Sequence, residues 1–432
     1  MKNRKYIIIP LLLMVFFTIN SIYARNSKET IEVAVFTGPV GGLEPWLEVA
    51  RNYEKLNPNI EVNIWGNPSI EDQLRPRIVR GDVPDTVFPR TLDLMTLANE
   101  GKIYQLDELL TEKAYGVEQN WEDVFKPGAL NVGRLDDKQY FIPNAVNCVG
   151  WCYNKKMFDQ YGWDVPQTWH ELERLCAEIK NKGIVPIALA GNVPWYVRRS
   201  FTDLVVATGG VDAFTKASNL EPGTWNSPVF LKAAQRLRNL MDKGYIQPEA
   251  MGMNHTISQS EFVFSNTAMV WVNETLEREM RDVIPEDFEM RFFLTPTDEG
   301  PAKSAGAITL LWAVFEEGNN SQRGADFLKY VFSPENMINM YKKYNFVGPI
   351  DIPLEELGAS DFLLSARNAV KEAGEMYSID LVFKWYPTLD EEVANALTSM
   401  LNKEISPEEA VNRMEAEAER IRNNEDIIKY KL

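Results

Sequence analysis

Histidine and cysteine are scarce in this chain of 432 residues, which has two histidines, His170 and His255, and three cysteines, Cys148, Cys152 and Cys176. A metal site built from several histidines is therefore excluded, and a Ser-His-Asp or Cys-His centre would need one of these two imidazoles. Three cysteines are too few for a disulfide scaffold. Cys148 and Cys152 would lie roughly 13 Å apart along one strand, beyond the reach of a disulfide. We expect all three to be small buried residues.

Basic residues are also fewer than acidic ones. The chain has 45 Lys and Arg and 62 Asp and Glu, which gives a net charge of −17. Binding to DNA or RNA needs a basic surface, so a nucleic-acid partner is excluded, as is docking on an anionic lipid surface. Hydrophobic residues make up 45% and charged residues 25% of the chain, the balance of a soluble globular protein. The length suits two domains or one large one.

The N-terminal segment has the features of an export signal. Lys2, Arg4 and Lys5 precede an apolar run over 6–17, and Ala24 supplies a small residue at the expected cleavage point. We expect a signal peptide over 1–24; an uncleaved membrane anchor is the alternative. No cysteine lies near this point, so we expect no lipid attachment. The mature protein is expected in the periplasm or outside the cell.

Alternating strand and helix patterns follow. Val33 and Ile64 centre two expected strands, over 31–36 and 60–65, and a helical pattern over 70–80 ends at Gly81. A capping box of Thr168 and Glu171 opens another expected helix. This order predicts an α/β fold with parallel sheets covered by helices.

Catalytic motifs are missing, whereas aromatic residues stand beside turn signals. No G-x-S-x-G, H-E-x-x-H or phosphate-binding glycine loop occurs. Trp195 and Tyr196 follow a proline-containing stretch that we expect to be a loop, and Trp385 and Tyr386 precede Pro387. Aromatic rings match the apolar face of a sugar, so this placement favours carbohydrate binding. The alternative is that these tryptophans are ordinary core residues.

Six motifs, in order, resemble the extracellular solute-binding protein family 1, the carbohydrate receptors of ABC importers related to maltose-binding protein. They cover nearly the whole mature chain. They are Pro84-Asp85-Thr86-Val87-Phe88, the segment 99–107, Ile142-Pro143 through Phe158, Pro166-Gln167-Thr168-Trp169-His170-Glu171-Leu172, Phe264-Ser265-Asn266-Thr267-Ala268-Met269 and Ser406-Pro407-Glu408-Glu409-Ala410.

The resemblance implies a two-lobed periplasmic-binding-protein fold of type II, with a mostly parallel sheet in each lobe and hinge-linked lobes that close on a ligand in the cleft between them. The expected lobes are 25–145 plus 300–348 and 146–299 plus 349–432. Three crossings are expected near 140–147, 296–304 and 347–353. We expect a monomeric, non-enzymatic receptor without cofactor or metal, which captures a mono- or oligosaccharide and delivers it to the permease subunits of an ABC importer.

The resemblance also implies a set of ligand-binding residues. Two departures concern the family's aromatic platforms: Pro89 replaces an aromatic residue after the Pro-Asp strand, and Asn273-Glu274-Thr275 replaces a Gly-x-Trp motif. The expected ligand-binding residues are Thr37, Gly41, Arg90, Thr91, Asp93, Asn147, Trp195, Tyr196, Asn273, Glu274 and Trp385.

Two other functions remain open at this point. A secreted carbohydrate-active hydrolase would need a pair of carboxylates at a defined separation, and no pair stands out among 62 acidic residues. A receptor for a non-sugar solute such as a polyamine would need a cleft lined with carboxylates, and Arg90 argues against one.

Overall fold

The structure is a computed structural model that describes residues 28–37, 42–308 and 310–432. The expected signal peptide over 1–24 and the expected site residue Gly41 lie outside these residues. The elements in the first part of the chain are β1 Glu29–Phe36, α1 Glu44–Leu56, β2 Ile60–Asn67, α2 Ile70–Arg80, β3 Thr86–Phe88, α3 Leu94–Asn99, α4 Asp107–Leu110, β4 Arg134–Leu135, β5 Lys138–Gln139, β6 Ile142–Pro143 and β7 Asn147–Asn154.

The later part of the chain is richer in helices, as its sequence predicts. Its elements are α5 Lys155–Tyr161, α6 Trp169–Asn181, β8 Val185–Ala188, α7 Pro194–Ser218, α8 Pro228–Asp242, α9 His255–Val263, β9 Thr267–Asn273, α10 Leu276–Glu279, β10 Met290–Phe293, β11 Ala305–Ile308, β12 Leu311–Val314, α11 Ser321–Val331, α12 Pro334–Tyr344, α13 Asp361–Ala373, β13 Met376–Ser378, α14 Leu381–Trp385, α15 Pro387–Leu401 and α16 Pro407–Asn423.

The chain divides into two compact units by its internal packing. The first unit holds the described part of 1–121 together with 312–346, and the second holds 122–311 and 347–432. These units are defined by how densely their residues pack. The lobe boundaries expected from the sequence describe two bodies that move relative to each other when a ligand binds, which packing does not test. Those boundaries therefore stay a prediction.

The first unit contains the parallel sheet that the sequence predicts. Strand β1 lies between β2 and β3 and is parallel to both, with Val33 opposite Ile64 and Thr86. Strand β12 adds to β3 in the antiparallel direction. Val33 and Val87 are fully buried, because a parallel strand is covered on both faces.

Helix ends in both units follow the sequence signals. Helix α2 ends at Gly81, whose φ of +72° is the left-handed conformation that glycine adopts readily. Thr168 caps α6 by accepting a hydrogen bond from the backbone N–H of Glu171 at 3.2 Å. The Glu171 carboxylate reaches back to the backbone N–H of Gln167 at 2.8 Å, one residue before the cap. The predicted capping box is thus present, with a shifted return bond.

The sheet of the second unit differs from the mostly parallel sheet that we expected. Its order is β13-β11-β7-β9-β8, with β10 also paired to β7. Strand β7 is antiparallel to β9, β10 and β11, and parallel pairing is confined to β8 with β9 and β11 with β13. The expectation was wrong because a buried hydrophobic run does not reveal its strand direction.

The core of the second unit is built around β7 and β9. Trp151 and Trp271 stack with ring centroids 4.2 Å apart. Asp203 of α7 lies among them and accepts hydrogen bonds from the Trp271 indole at 3.2 Å and from the Thr295 hydroxyl. Cys148, Cys152 and Cys176 are free and buried, as expected. Along the described ranges 28–37, 42–308 and 310–432, every helix is too short or too polar to cross a membrane.

Candidate functional site

Four of the expected site residues lie in the first unit, after its strands. Thr37 follows β1, and Arg90, Thr91 and Asp93 follow β3. The backbone N–H groups of Arg90 and Thr91 donate to one oxygen of Glu71, at 2.6 and 2.8 Å. The carboxylate therefore holds this loop in place and leaves both side chains exposed.

The remaining polar groups of this loop have local partners. The Arg90 guanidinium lies 5.6 Å from the ring centroid of Phe36. Asp93 caps α3 and accepts bonds from the backbone N–H and the hydroxyl of Thr96, at 3.1 and 2.7 Å. Asp93 thus has a structural role in the helix start. Arg90, Thr91 and Asp93 are all exposed, and Asp93 is the one used as a helix cap.

Trp195 and Tyr196 are placed differently from the loop that we expected. They lie in the first turn of α7, because Pro194 occupies the first helical position, where a missing N–H costs nothing. Their rings stack with centroids 4.0 Å apart. Trp195 remains 38% exposed and Tyr196 only 6%. The exposed indole is thus supported from behind by a buried ring.

A chain of hydrogen bonds runs from Tyr196 into the polar surroundings. Its hydroxyl hydrogen bonds to Nδ1 of His255, the first residue of α9. The other ring nitrogen of His255 lies 3.0 Å from a carboxylate oxygen of Glu279. Burial raises the pKa of the Tyr196 hydroxyl, so the phenol stays protonated near neutral pH.

Glu279 is the acceptor at the centre of this network. It takes bonds from the Gln259 amide at 2.8 Å and from the Thr275 hydroxyl at 2.6 Å. Burial acts to raise its pKa, but the bonds from His255, Thr275 and Gln259 outweigh burial and hold the pKa at about 2. The Thr275 hydroxyl lies 3.1 Å from the side-chain oxygen of Asn273 as well. The structure thus connects Trp195, Tyr196 and Asn273 in one network, which we name the Trp195 cluster.

Asn147 and Glu274 lie at the ends of two paired strands, β7 and β9, beside this region. Asn147 begins β7, and Glu274 follows the last residue of β9. A carboxylate oxygen of Glu274 is buried and makes no hydrogen bond within the described residues. Burial raises the pKa of Glu274 to about 7, against the attraction of Lys126 and a bond from the Cys148 backbone. Both charged groups line a cavity of about 50 Å³ within the second unit.

Two arginines on α7 connect the Trp195 cluster to the C-terminal helices. The Arg199 guanidinium carbon lies 4.3 Å from the Trp195 ring centroid, and its Nε donates to Asp380 at 3.0 Å. Arg198 donates to the same carboxylate at 3.0 Å and lies 2.6 Å from Asp390. Burial acts to raise the pKa of Asp380, but the two guanidinium groups hold it well below its usual range.

Trp385 is buried among aromatic side chains. It ends α14 and is 6% exposed, with its ring centroid 5.1 Å from that of Tyr430. Tyr386 separates α14 from α15 with non-helical φ and ψ of −128° and 80°, as expected for the residue before Pro387. The sequence correctly placed the helix start but did not show the neighbouring Tyr430.

The structure also shows residues that our sequence reasoning missed. His255, Glu279, Arg199 and Asp380 all belong to the surroundings of Trp195, yet no motif marks them. His255 is one of only two histidines in the sequence, and it directly follows Asn254, the N-cap residue of α9. These two features could have singled it out. Within the described ranges, no group of three or more His, Cys, Asp or Glu side chains is arranged so that it could hold a metal ion.

Comparison with known proteins decides the family. The model of the bacterial extracellular solute-binding protein family matches residues 40–338. This chain belongs to that family. The solute-binding protein is therefore a receptor and not an enzyme, which confirms the expectation from the sequence and removes the hydrolase alternative. The family also places it outside the cytoplasm, in the periplasm or the extracellular space, and associates it with ABC transporters.

Two curated relatives and one solved structure resemble the solute-binding protein over most of its length. A multiple sugar-binding protein of Streptococcus mutans is 25% identical over 68% of this chain and 69% of its own. A diacetylchitobiose binding protein of Streptomyces coelicolor is 24% identical over 75% and 70%. A chitin oligosaccharide binding protein superposes with a TM-score of 0.70 at 22% identity, covering 91% and 98%. The last likeness confirms the two-domain solute-binding fold.

Proposed function

We propose that the protein captures a carbohydrate and delivers it to an ABC importer. The observation that supports this most directly is the Trp195 cluster, in which a half-exposed indole stands beside hydroxyl, amide, imidazole and carboxylate groups. A sugar ring has an apolar C–H face and a rim of hydroxyls, which match these two kinds of surface. Similarity to relatives named for sugar binding supports the same class of ligand.

The full set of ligand contacts is part of this proposal. Trp195 provides the aromatic contact through the part of its indole that Tyr196 and Arg199 leave exposed. Tyr196 positions it, since that ring is mostly buried. Arg90 and Thr91 of the first unit are proposed to reach sugar hydroxyls when the lobes close. The proposed ligand-binding residues are Thr37, Gly41, Arg90, Thr91, Asp93, Asn147, Trp195, Tyr196, Asn273, Glu274 and Trp385.

Export and partnership complete the proposal. Residues 1–24 are proposed to direct export and to be removed after Ala24. The loaded receptor then acts as a monomer and docks on the permease subunits of its importer. It carries no lipid, because no cysteine lies near the proposed cleavage point.

A thermal-shift screen of the purified mature protein against mono- and oligosaccharides tests the proposal. Bound ligand stabilises the folded state by RT ln(1 + [L]/Kd), about 2.7 kcal/mol at a hundredfold excess over Kd. The screen includes raffinose, N,N′-diacetylchitobiose and galactose, with spermidine and putrescine as non-sugar solutes. A rise in melting temperature with the polyamines alone would mean that the ligand is cationic and not a carbohydrate.

The contribution of Trp195 is measured on the best sugar of that screen by calorimetry. Trp195→Ala is expected to weaken binding by about 2–4 kcal/mol, as for a central aromatic contact. Tyr161→Ala is the matched control. Like Trp195, Tyr161 is partly exposed, at 37%, and stacks on a neighbouring ring, with its ring centroid 4.7 Å from that of Trp163. Equal losses in both variants would contradict a specific role for Trp195.

A further inference from the structure

The guanidinium of Arg199 lies over the ring of Trp195, with its carbon 4.3 Å from the ring centroid. Its Nε and Nη2 edge is occupied by the carboxylate of Asp380. Its Nη1 makes no hydrogen bond to any part of the chain that the structure describes. A guanidinium is planar and carries five N–H donors, so the unoccupied donors have a fixed direction relative to the paired edge. Arg199 is thus a rigid donor group adjacent to the proposed sugar platform.

The positive charges around Trp195 are compensated. Asp380 pairs with both Arg199 and Arg198, and Asp390 adds a second carboxylate at Arg198. Lys384 is a third cation nearby; burial lowers its pKa, against the attraction of Asp380. Two guanidinium groups therefore face two carboxylates. The charge of the Arg199 guanidinium is thus paired directly with the carboxylate of Asp380.

From this arrangement, and resting on the carbohydrate function proposed above, we propose that Asp380 sets the charge class of the ligand. By neutralising Arg199 it lets the guanidinium serve as a hydrogen-bond donor to a neutral sugar and removes the attraction that an acidic sugar would gain. Asp380 is a positioning residue, because it acts through Arg199 and is itself buried. The expected ligands are neutral sugars and not uronic acids.

The chemistry of the two ligand classes explains the selectivity. The N–H groups of a guanidinium reach the oxygens of vicinal hydroxyls as well as those of a carboxylate. A carboxylate normally binds more tightly because opposite charges attract. Here the Asp380 carboxylate already pairs with the guanidinium, so an acidic sugar would give up its hydration without gaining that attraction. A neutral sugar carries no charge to desolvate and keeps its hydrogen bonds to the guanidinium.

The closing experiment measures the wild-type protein first, by calorimetry with ligands that differ only at C6. The pairs are D-galactose with D-galacturonate and D-glucose with D-glucuronate, together with their disaccharides. The neutral member is expected to bind at least about tenfold tighter. Because the Arg199 charge is paired with Asp380, this ratio is expected to change by less than about twofold between low and high salt.

Asp380→Asn tests the assigned residue. Loss of the carboxylate uncovers the Arg199 charge, so the ratio is expected to move toward the acidic sugar by about tenfold and to become salt-dependent. Asp298→Asn is the matched control. Asp298 pairs with Arg236, whose guanidinium lies 4.8 Å from the ring centroid of Trp169, a ring only 4% exposed. The control is expected to leave the ratio unchanged.

The outcomes separate this inference from the proposed function. If neither sugar class binds the wild type, both are overturned. If sugars bind but uronates bind as tightly as their neutral counterparts, the inference alone falls. A folded Asp380→Asn protein with an unchanged ratio also overturns it. If that variant does not fold, the wild-type ratio and its salt dependence decide the question.

Discussion

The indole of Trp385 stacks on the phenol ring of Tyr430 with their planes 30° apart, which joins the end of helix α14 to the last residues of the chain. Tyr386 strengthens this junction, because its hydroxyl accepts a hydrogen bond from the Tyr430 backbone at 3.0 Å. Both aromatic rings of the Trp385 pair are buried. A residue in this position contributes to folding whether or not it also contacts a ligand.

Trp385→Ala is therefore expected to lower the free energy of unfolding by about 3–5 kcal/mol, since it leaves a cavity among packed rings. Urea denaturation of the unliganded protein measures this loss. Calorimetry on the folded variant then tests the proposed ligand contact. A stable variant with weakened sugar affinity would contradict the core role, and an unstable variant with full affinity would remove Trp385 from the site. Tyr430→Ala, which breaks the same stack, is the control.

Asp203 is expected to make stability depend on pH. Burial raises its pKa from 3.8 to about 7, against the bonds from Thr295 and Trp271. Between these two values the unfolded chain loses the proton while the folded chain keeps it. The contribution to stability is therefore complete below about pH 4 and is lost as the pH rises to about 7.

The check is a series of melting curves from pH 4 to 8. Asp203→Asn keeps an acceptor for both hydrogen bonds and cannot ionise, so the wild type is expected to lose stability relative to this variant as the pH rises. Parallel curves for the two proteins would contradict the prediction.

Glu279 is expected to act in the opposite direction. Its folded pKa of about 2 is below the unfolded value of 4.5, so its contribution is present above about pH 4.5 and lost as the pH falls toward 2. Glu279→Gln is expected to cost about 1–3 kcal/mol at pH 7 because hydrogen bonds to a charged acceptor are weakened. At pH 3 the cost is expected to shrink.

Urea unfolding at both pH values measures the Glu279 effect. Glu249→Gln, at an exposed position, is the control for a general change of net charge. A cost in Glu279→Gln that is equal at pH 7 and pH 3 would argue against the charged acceptor.

Glu71 is expected to control the loop that carries Arg90 and Thr91. Glu71→Ala removes the acceptor of two backbone bonds and is expected to cost about 1–3 kcal/mol of stability, and to weaken sugar binding if the loop contacts the ligand. Asp72→Ala removes an exposed carboxylate from the same helical turn and is the control. Denaturation and calorimetry on both variants provide the comparison. Loss of stability without loss of affinity would exclude the loop from the site.

Local structure was determined largely by the sequence itself. The end of β1, the bounds of α2 and the capping of α6 follow from hydrophobic spacing, a glycine and a threonine cap. These signals act over one or two helical turns, so they can be read without knowledge of the fold. The order of six short motifs indicated the family as well.

Tertiary structure alone decided how distant residues meet. It made β7 antiparallel to its neighbouring strands, placed Trp195 on a helix and buried Trp385 against Tyr430. It also joined Arg199 to Asp380, which are 181 residues apart. Such a pair leaves no periodic trace in the sequence, because its bond depends on how helix α7 packs against the start of α14. The sequence could suggest aromatic residues as sugar contacts, because they stand beside local turn signals. The charged groups around Trp195 became visible only in the folded chain, because distant segments bring them together.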